Sequence, residues 1–328
     1  MPEVPSTPEL AQMYELMQTI TRCDERFRAE VRSGALQAAF YPVRGLEGVC
    51  AALSLALERR DYLVSTYRNL GDALAKGVDL GAIVAEAAGK AAGTSKGKGG
   101  PMHIQDLGAG LMHTTGVVGS GLPIAAGLAL AAQLDGEGRV TVVTFGDGAT
   151  SIGAYHEAMN LASLWKLPLV FVCQNNQWAE HTRLAEYAPA TDLAARAAAY
   201  NMAAVAVDGF DPLATWRVLH AAVAGARAGD GPTFVECLTY RLSGHAGAAD
   251  HSYMPEEELA AFEARDAGPN FRRWLEDSAL VPAPELDAID ARAAAAVEEA
   301  FTWAMSLPGP DASEVWTDVF ADDSVVPR

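Results

Sequence analysis

The residues best suited to chemistry follow two predicted strands. The first strand, over residues 140–145, is apolar and β-branched and ends at Gly146-Asp147-Gly148. The second, over residues 167–173, ends at Asn175-Asn176, with 26 residues between Gly148 and Asn175. Residues 149–165 carry a helical period, so strand, helix and strand form a right-handed βαβ unit whose strands end at the same sheet edge. We therefore expect Asp147 and Asn176 to be neighbours where α/β sheets bind their ligands.

These residue types indicate the binding of a metal ion together with a diphosphate. One carboxylate, one amide oxygen and nearby backbone carbonyls suit a hard cation such as Mg²⁺, which takes few protein oxygens and completes its shell with phosphate and water. Gly146 and Gly148 let backbone N–H groups approach a diphosphate. A helix beginning near Thr150 would direct its positive end towards the same group.

Two other interpretations of the same residues stay open at this stage. GDGATS is close to the GxGxxG pattern of dinucleotide-binding folds, but Ser151 replaces the third glycine. The second strand also ends in neutral Asn176 rather than in the acid that would hold a ribose. Asp147 would repel a pyrophosphate unless a metal ion bridged them. An ordinary tight turn is the other alternative.

A longer stretch carries a family resemblance. The segment GDGATSIGAYHEAMNLASLWKLPLVFVCQNNQWA resembles the alpha subunit of the thiamine diphosphate-dependent component of 2-oxo acid dehydrogenase complexes. Pyruvate, branched-chain 2-oxo acid and acetoin dehydrogenases belong to that group. The resemblance runs from about residue 40 to residue 253 and implies thiamine diphosphate and Mg²⁺ as cofactors. It implies an α/β fold with an open, mostly parallel sheet flanked by helices, and the buried strands of the sequence predict at least four parallel members.

The resemblance also implies which residues meet the cofactor. His245 matches the family's active-site histidine and is the implied catalytic residue, since a neutral imidazole can donate a hydrogen bond or move a proton. Arg68 offers forked, permanent charge to phosphate oxygens. The implied cofactor-binding residues are Tyr41, Tyr67, Arg68, Gly116, Val118, Gly146, Asp147, Gly148, Ala149, Asn176, Arg241 and His245. The implied metal ligands are Asp147, Asn176 and, through its backbone oxygen, Trp178.

Some positions depart from the family pattern. Ser243 stands where pyruvate-type members often have His, Ala246 replaces the serine after the active-site His, and Met254 replaces an Arg. Control by phosphorylation at that serine is therefore excluded, and the departures leave room for weaker retention of the cofactor or for an unusual substrate. His103 ends a loop rich in glycine and lysine over residues 93–103 that resembles a loop over the active-site channel. Two roles stay open for His103: contact with substrate or cofactor, and a hydrogen bond that braces the loop.

Length and composition limit the organisation and the partners. The chain has 328 residues, a net charge of −18 and a pI near 4.7, which argue against nucleic acid or an anionic membrane as partner. No signal peptide, no membrane-spanning apolar run and four scattered cysteines predict a cytoplasmic location. We expect an N-terminal helical extension (1–38), the thiamine diphosphate-binding domain (39–254) and a C-terminal helical segment with a tail (255–328).

The resemblance implies a chain that works only with a partner. In the family, the glutamate beside the aminopyrimidine ring comes from a beta subunit, so we expect an α₂β₂ heterotetramer that is inactive without it. The implied reaction is decarboxylation of a small 2-oxo acid, or cleavage of acetoin, with transfer of the acyl group to a lipoyl-bearing acyltransferase. A split transketolase-like or simple decarboxylase subunit is one alternative. A non-catalytic, regulatory partner that binds the cofactor is another.

Overall fold

The computed structural model describes residues 4–247 and 249–320. Its strands are β1 (Tyr62–Thr66), β2 (Leu111–Thr115), β3 (Thr141–Gly146), β4 (Leu169–Asn175), β5 (Trp178–Ala179), β6 (Thr182–Arg183), β7 (Ala203–Asp208) and β8 (Thr233–Leu238). Its helices are α1 (Thr7–Ser33), α2 (Glu47–Ala56), α3 (Leu70–Ala75), α4 (Leu80–Ala87), α5 (Gly121–Asp135), α6 (Gly153–Trp165), α7 (Leu184–Tyr187), α8 (Leu193–Ala197), α9 (Pro212–Ala228), α10 (Glu256–Glu263), α11 (Ala267–Asp277) and α12 (Ala283–Ser306).

A parallel sheet with the strand order β2-β1-β3-β4-β8-β7 forms the centre of the fold. Every residue of β4 is buried, as is typical of a middle strand that helices cover on both faces. The predicted α/β class is therefore confirmed, and the sheet has six strands where the sequence predicts at least four. Strands β5 and β6 form a separate antiparallel hairpin directly after β4.

Alternate residues of the central strands point into two different cores. Val170 and Val172 pack on the side that also holds buried residues of α1, α2, α9 and α12. Phe171 lies between these two valines in β4, and Cys173 follows them. Both pack on the side of α5, α6 and α8. This alternation follows from the two-residue period of a strand, and it explains why the strands appear in the sequence as continuous apolar runs.

The predicted βαβ unit is confirmed as β3, α6 and β4. In the register of the two strands Gly146 lies opposite Gln174, so the turns that follow both strands meet at one edge of the sheet. One local detail differs from the expectation. A 3-10 helix over Asp147–Ser151 follows β3, and α6 begins only at Gly153 rather than near Thr150. The two glycines and Thr150 allow this tighter turn directly behind the strand.

Helices from both ends of the chain complete the core. Helix α1 begins after Ser6, which forms a capping box with Glu9, and Gly34 ends the helix with a left-handed φ of 78°. Buried residues of α1, α11 and α12 belong to the same apolar cluster as those of α2 and one face of the sheet. The division at residues 38 and 254 stays a prediction. The acidic tail that the sequence predicts falls partly on residues 321–328, which lie outside the described residues.

Two further features concern cysteines and membranes. All four cysteines are buried free thiols. Within the part of the chain that the structure describes, no helix is both long enough and apolar enough to cross a membrane.

Candidate functional site

A cavity of about 440 Å³ lies at the carboxyl end of the central strands. The turns after β1, β2, β3 and β4 line it, which is where parallel sheets present their loops to ligands. Most of the residues implied by the family resemblance border this cavity. They are Tyr41, Tyr67, Arg68, Gly116, Val118, Gly146, Gly148, Ala149, Asn176, Trp178 and His245. The structure therefore brings together residues as far apart in the chain as Tyr41 and His245.

Asp147 is the buried acid of the site. Its side chain is fully buried behind the cavity wall formed by Gly146 and Gly148. Its Oδ1 accepts a hydrogen bond of 3.2 Å from the backbone N–H of Asn176, so the predicted pair are indeed neighbours. Its Oδ2 accepts a hydrogen bond from the hydroxyl of Tyr187. Burial raises the pKa of Asp147, and the hydrogen bond from Tyr187 opposes that rise.

Asn176 and Trp178 form the turn that faces this acid. The side-chain Oδ1 of Asn176 accepts a hydrogen bond of 3.2 Å from the backbone N–H of Trp178, which fixes the amide at the end of β4. The Trp178 side chain is buried in a small cluster with Tyr240 and Met254. The tryptophan therefore anchors the turn by packing.

Two arginines supply positive charge. Arg241 is 1% exposed and Arg68 is 7% exposed. Arg68 donates hydrogen bonds to the backbone oxygens of Pro42 and His245, and burial lowers its pKa to about 10. Arg241 donates to the backbone oxygen of Glu180 at 2.5 Å and to the Tyr253 hydroxyl. Among residues 4–247 and 249–320 no carboxylate forms an ion pair with either guanidinium, so neither buried cation has a carboxylate in direct contact.

His245 lies between these arginines and an aromatic wall. Its Nδ1 is 3.3 Å from a guanidinium nitrogen of Arg241. Because a guanidinium can only donate, Nδ1 accepts and the ring proton is on Nε2. Burial, together with the positive charges of Arg68 and Arg241, lowers the pKa of His245 to about 4. The ring centroids of Tyr41 and Tyr67 lie 5.2 Å and 6.1 Å from that of His245. His245 is thus a neutral hydrogen-bond donor at ordinary pH.

Several site residues escape sequence reasoning. Tyr187, Gln174, Glu180 and Met102 either line the cavity or contact the buried acid. Gln174 carries a usable signal, because a polar residue ends an otherwise apolar strand just before Asn175-Asn176. Tyr187 carries none, since it lies in the short helix α7 beyond the hairpin. For His103, whose role the sequence leaves open, the structure favours the brace: its Nδ1 is 3.3 Å from the backbone oxygen of Thr114.

The positions that depart from the family pattern lie close to the same site. Ser243 is buried, and its backbone oxygen accepts a hydrogen bond of 3.3 Å from Arg241. Met254 is buried against the cluster that contains Trp178. An apolar side chain at position 254 therefore contributes packing where an arginine would contribute charge. Nothing in the structure explains Ala246.

The chain is similar to a well-defined group of enzymes. The family described as "Dehydrogenase E1 component" matches residues 15–313. The alpha subunit of acetoin:2,6-dichlorophenolindophenol oxidoreductase from Bacillus subtilis is 39% identical over 94% of this chain and 92% of its own length. The pyruvate dehydrogenase E1 component alpha subunit of Porphyra purpurea is 36% identical over 85% of this chain and 83% of its own. The 3-methyl-2-oxobutanoate dehydrogenase alpha subunit of Mycobacterium tuberculosis is 36% identical over 94% and 82%.

Fold, cavity and similarity together define the class: a thiamine diphosphate-dependent oxidoreductase chain of the 2-oxo acid and acetoin dehydrogenase type. The chain belongs to the dehydrogenase E1 component family. It is an alpha subunit within that family, which implies a beta subunit as partner.

The residues present fit the family's cofactor. One buried acid and two buried arginines border or back the same cavity, and none of the three forms an ion pair in the part of the chain that the structure describes. A Cβ added at Gly146 would meet no protein atom within 4 Å, so the space beside that turn is open. Within the described residues no three His, Cys, Asp or Glu side chains cluster as metal ligands. A cation at this site would therefore depend on one carboxylate, amide and backbone oxygens and the ligand's own phosphates, as Mg²⁺ allows.

Proposed function

We propose that this cavity binds thiamine diphosphate through Mg²⁺ and that the chain forms half of an active site for cleaving the bond beside a carbonyl group. The observation that carries the proposal is the charge arrangement of the cavity. Within the described residues, Asp147 is fully buried with hydrogen bonds but no ion pair, while Arg68 and Arg241 are buried and form no ion pair with a carboxylate. A metal ion bound to a diphosphate supplies both missing charges at once.

Each group of this chain has a distinct task in the proposal. Asp147, Asn176 and the backbone oxygen of Trp178 would hold the cation, and Arg68 with Arg241 would hold phosphate oxygens. Tyr41, Tyr67, Gly116, Val118, Gly146, Gly148 and Ala149 complete the proposed cofactor-binding set. Thiamine diphosphate supplies, when bound, the nucleophilic carbon that attacks the substrate carbonyl. His245, neutral and with its proton on Nε2, donates a hydrogen bond or passes a proton at that end of the cavity.

The proposed partner arrangement is an α₂β₂ heterotetramer whose beta subunit supplies the glutamate beside the aminopyrimidine ring. Exposed apolar side chains border the cavity: Val117 is 67% and Val118 is 49% exposed. Ile124 on α5 is also exposed, as is a second patch with Leu134, Leu164 and Trp165. Apolar surface of this kind marks a protein interface. A lipoyl-bearing acyltransferase is the proposed acyl acceptor, and the cytoplasm the proposed compartment.

The substrate that we propose first is acetoin, with 2-oxo acids as the second class. The 39% identity to an acetoin-type alpha subunit supports this order. Glu180 supports it independently, because it is an exposed carboxylate that lines the cavity. A like charge in a partly screened site costs an anionic substrate about 1 kcal/mol, whereas neutral acetoin is unaffected. Replacement of Glu180 by Gln should therefore improve kcat/KM for pyruvate about fivefold relative to acetoin. An unchanged ratio between kcat/KM for pyruvate and kcat/KM for acetoin would mean that Glu180 does not support acetoin as the substrate.

The direct test is an assay of the purified chain with thiamine diphosphate, Mg²⁺ and a panel of acetoin, pyruvate and branched-chain 2-oxo acids. Each substrate is assayed with and without the beta subunit. We expect turnover only when both subunits are present, with acyl transfer to lipoamide. Full turnover by this chain alone would refute the half-site arrangement. Release of free aldehyde without acyl transfer would instead support a simple decarboxylase subunit.

A further inference from the structure

A single buried carboxylate organises the glycine- and lysine-rich loop. Glu86, near the end of α4, is 0% exposed. Its Oε2 accepts hydrogen bonds from the backbone N–H groups of Ser95 at 2.6 Å and Gly97 at 2.9 Å. Its Oε1 accepts from Gly99 at 2.8 Å and Gly100 at 3.0 Å. Four N–H groups of one loop therefore converge on one side chain.

Backbone dipoles alone compensate this charge. In the described ranges, 4–247 and 249–320, Glu86 forms no ion pair with a lysine, arginine or histidine. Both oxygens are instead satisfied by amide donors, which is how backbone N–H groups hold a buried anion. A loop of this composition has few apolar contacts of its own, so its folded shape depends on the carboxylate that it surrounds.

The shape of the loop is tight enough to need glycine. Gly97 has a left-handed φ of 73°, and a Cβ there would lie 2.5 Å from the backbone carbon of Gly89. Substitution of Gly97 by Ala should therefore open the loop without touching Glu86.

The same loop forms part of the cavity wall. The backbone oxygen of Pro101 accepts a hydrogen bond of 3.0 Å from the Asn69 side chain, which follows Arg68 in the chain. The Met102 oxygen accepts one of 3.0 Å from Thr114 in β2. The Met102 side chain lines the cavity, and its sulfur lies 3.5 Å from the position of a Cβ built on Gly116. Order in the loop is thus transmitted to the wall beside Gly116 and to the segment that carries Arg68.

The outer side of the loop is held differently. Lys96 and Lys98 form exposed ion pairs with Glu314 and Asp318, beyond the end of α12. Exposed pairs of this kind contribute little to stability. They leave Glu86 as the main anchor of the loop.

We propose that Glu86 is a positioning residue for the cofactor cavity: its carboxylate folds the loop of residues 93–103 and so sets the wall that Met102 contributes. The link to the cavity rests on the proposed function, whereas the folding of the loop does not.

The experiment compares trypsin cleavage after Lys96 and Lys98 in the full-length, cofactor-free chain. Glu86→Gln keeps the size of the side chain but presents an NH₂ group to two of the four N–H donors. Gly97→Ala disturbs the loop from the other side. Glu298→Gln, on the exposed side of α12, is the matched control, since its side chain is 63% exposed. We expect both loop variants to raise the cleavage rate at these two lysines at least about tenfold, and the control to leave it unchanged.

Two further measurements separate positioning from a general loss of stability. In the Glu86→Gln and Gly97→Ala variants, cleavage at arginines of the buried core should stay slow, and the double variant should not add to the larger single effect. With the beta subunit present, the apparent KM for thiamine diphosphate should rise about threefold to tenfold while kcat at saturation is retained. Protection of both lysines in Glu86→Gln, or equal acceleration of cleavage along the whole chain, would overturn the proposal. If the wild-type chain binds no thiamine diphosphate, the proposed function fails while the cleavage result still decides the role of Glu86 in the loop.

Discussion

Two groups of buried residues at the cavity hold opposite charges in different ways. At the end of β3 and β4, the carboxylate of Asp147 is fully buried and meets only neutral donors, the backbone of Asn176 and the hydroxyl of Tyr187. In the second group, Arg68 and Arg241 meet backbone oxygens, a tyrosine hydroxyl and the neutral ring of His245. Among residues 4–247 and 249–320 no ion pair joins this acid to either arginine, and the charge of Arg241 only opposes the rise that burial causes in the pKa of Asp147.

The lack of ion pairs between these two groups explains why the site suits one class of ligand. A protein that needed these charges only for stability would bring them together, because an isolated buried charge is costly. Burial raises the pKa of Asp147 and lowers that of Arg68, so each environment disfavours its own charged form. A cation attached to an anion reverses both penalties in a single binding event, and a magnesium diphosphate has that form. Four substitutions, at Asp147, Arg68, Tyr187 and His245, test these two groups of residues.

The largest effect is expected for Asp147→Ala. This change removes the only carboxylate that the proposed metal site offers, so affinity for thiamine diphosphate in Mg²⁺ should fall at least about a hundredfold. Isothermal titration calorimetry measures the affinity. Asp135→Ala, at an exposed position on α5, is the control and should bind like the wild type. A variant at position 147 that retained wild-type affinity would place the metal elsewhere.

The second-largest effect is expected for Arg68→Met, which removes one of the two buried arginines. The loss of charged hydrogen bonds to phosphate should weaken binding of thiamine diphosphate about tenfold to a hundredfold. The thermal midpoint should change little, because removing a buried charge offsets the hydrogen bonds lost at Pro42 and His245. Calorimetry and thermal unfolding measure the two quantities on the same preparation. A large fall in stability with unchanged affinity would make Arg68 a structural residue only.

A smaller effect is expected for Tyr187→Phe. The hydroxyl stabilises the charged form of Asp147, so its loss should raise the pKa of that carboxyl further and let protons compete with Mg²⁺. Mg²⁺-dependent binding should weaken about tenfold, and more at pH 6 than at pH 8. Tighter binding in the variant would mean that Tyr187 and the metal compete for the same oxygen.

The smallest effect concerns pH and His245. Its pKa of about 4 lies below the value of 6.5 for a free histidine, so the unfolded chain binds more protons between these values. The corresponding stability is complete above pH 6.5 and is lost as pH falls towards 4. The His245→Asn variant should therefore lose less thermal stability than the wild type as the pH falls from 6.5 to 4. The difference should be slight, because the ring is partly exposed. A titration midpoint near 6.5 for His245, measured by NMR in the cofactor-free chain, would contradict the lowered pKa.

Sequence reasoning reaches the parts of the site that local patterns encode. The βαβ unit, the turn at Gly146–Gly148 and the neighbouring asparagines follow from apolar runs, glycines and the fixed handedness of the connection. Tyr187 and Glu86 could not be found in this way. Tyr187 reaches Asp147 from a short helix beyond an irregular hairpin, and Glu86 resembles any helical surface glutamate until the loop folds over it. Strand β2, with its half-buried Met112 and His113, lacks the apolar run that reveals β3 and β4.

The proposed function depends on a divalent cation that joins the buried carboxylate of Asp147 to the diphosphate held by Arg68 and Arg241. The most direct measurement is a calorimetric titration of thiamine diphosphate into the assembled alpha and beta subunits, once with Mg²⁺ and once with EDTA. We predict one cofactor per alpha chain with Mg²⁺ and an affinity at least about a hundredfold lower with EDTA. Equal affinity under both conditions would contradict the account.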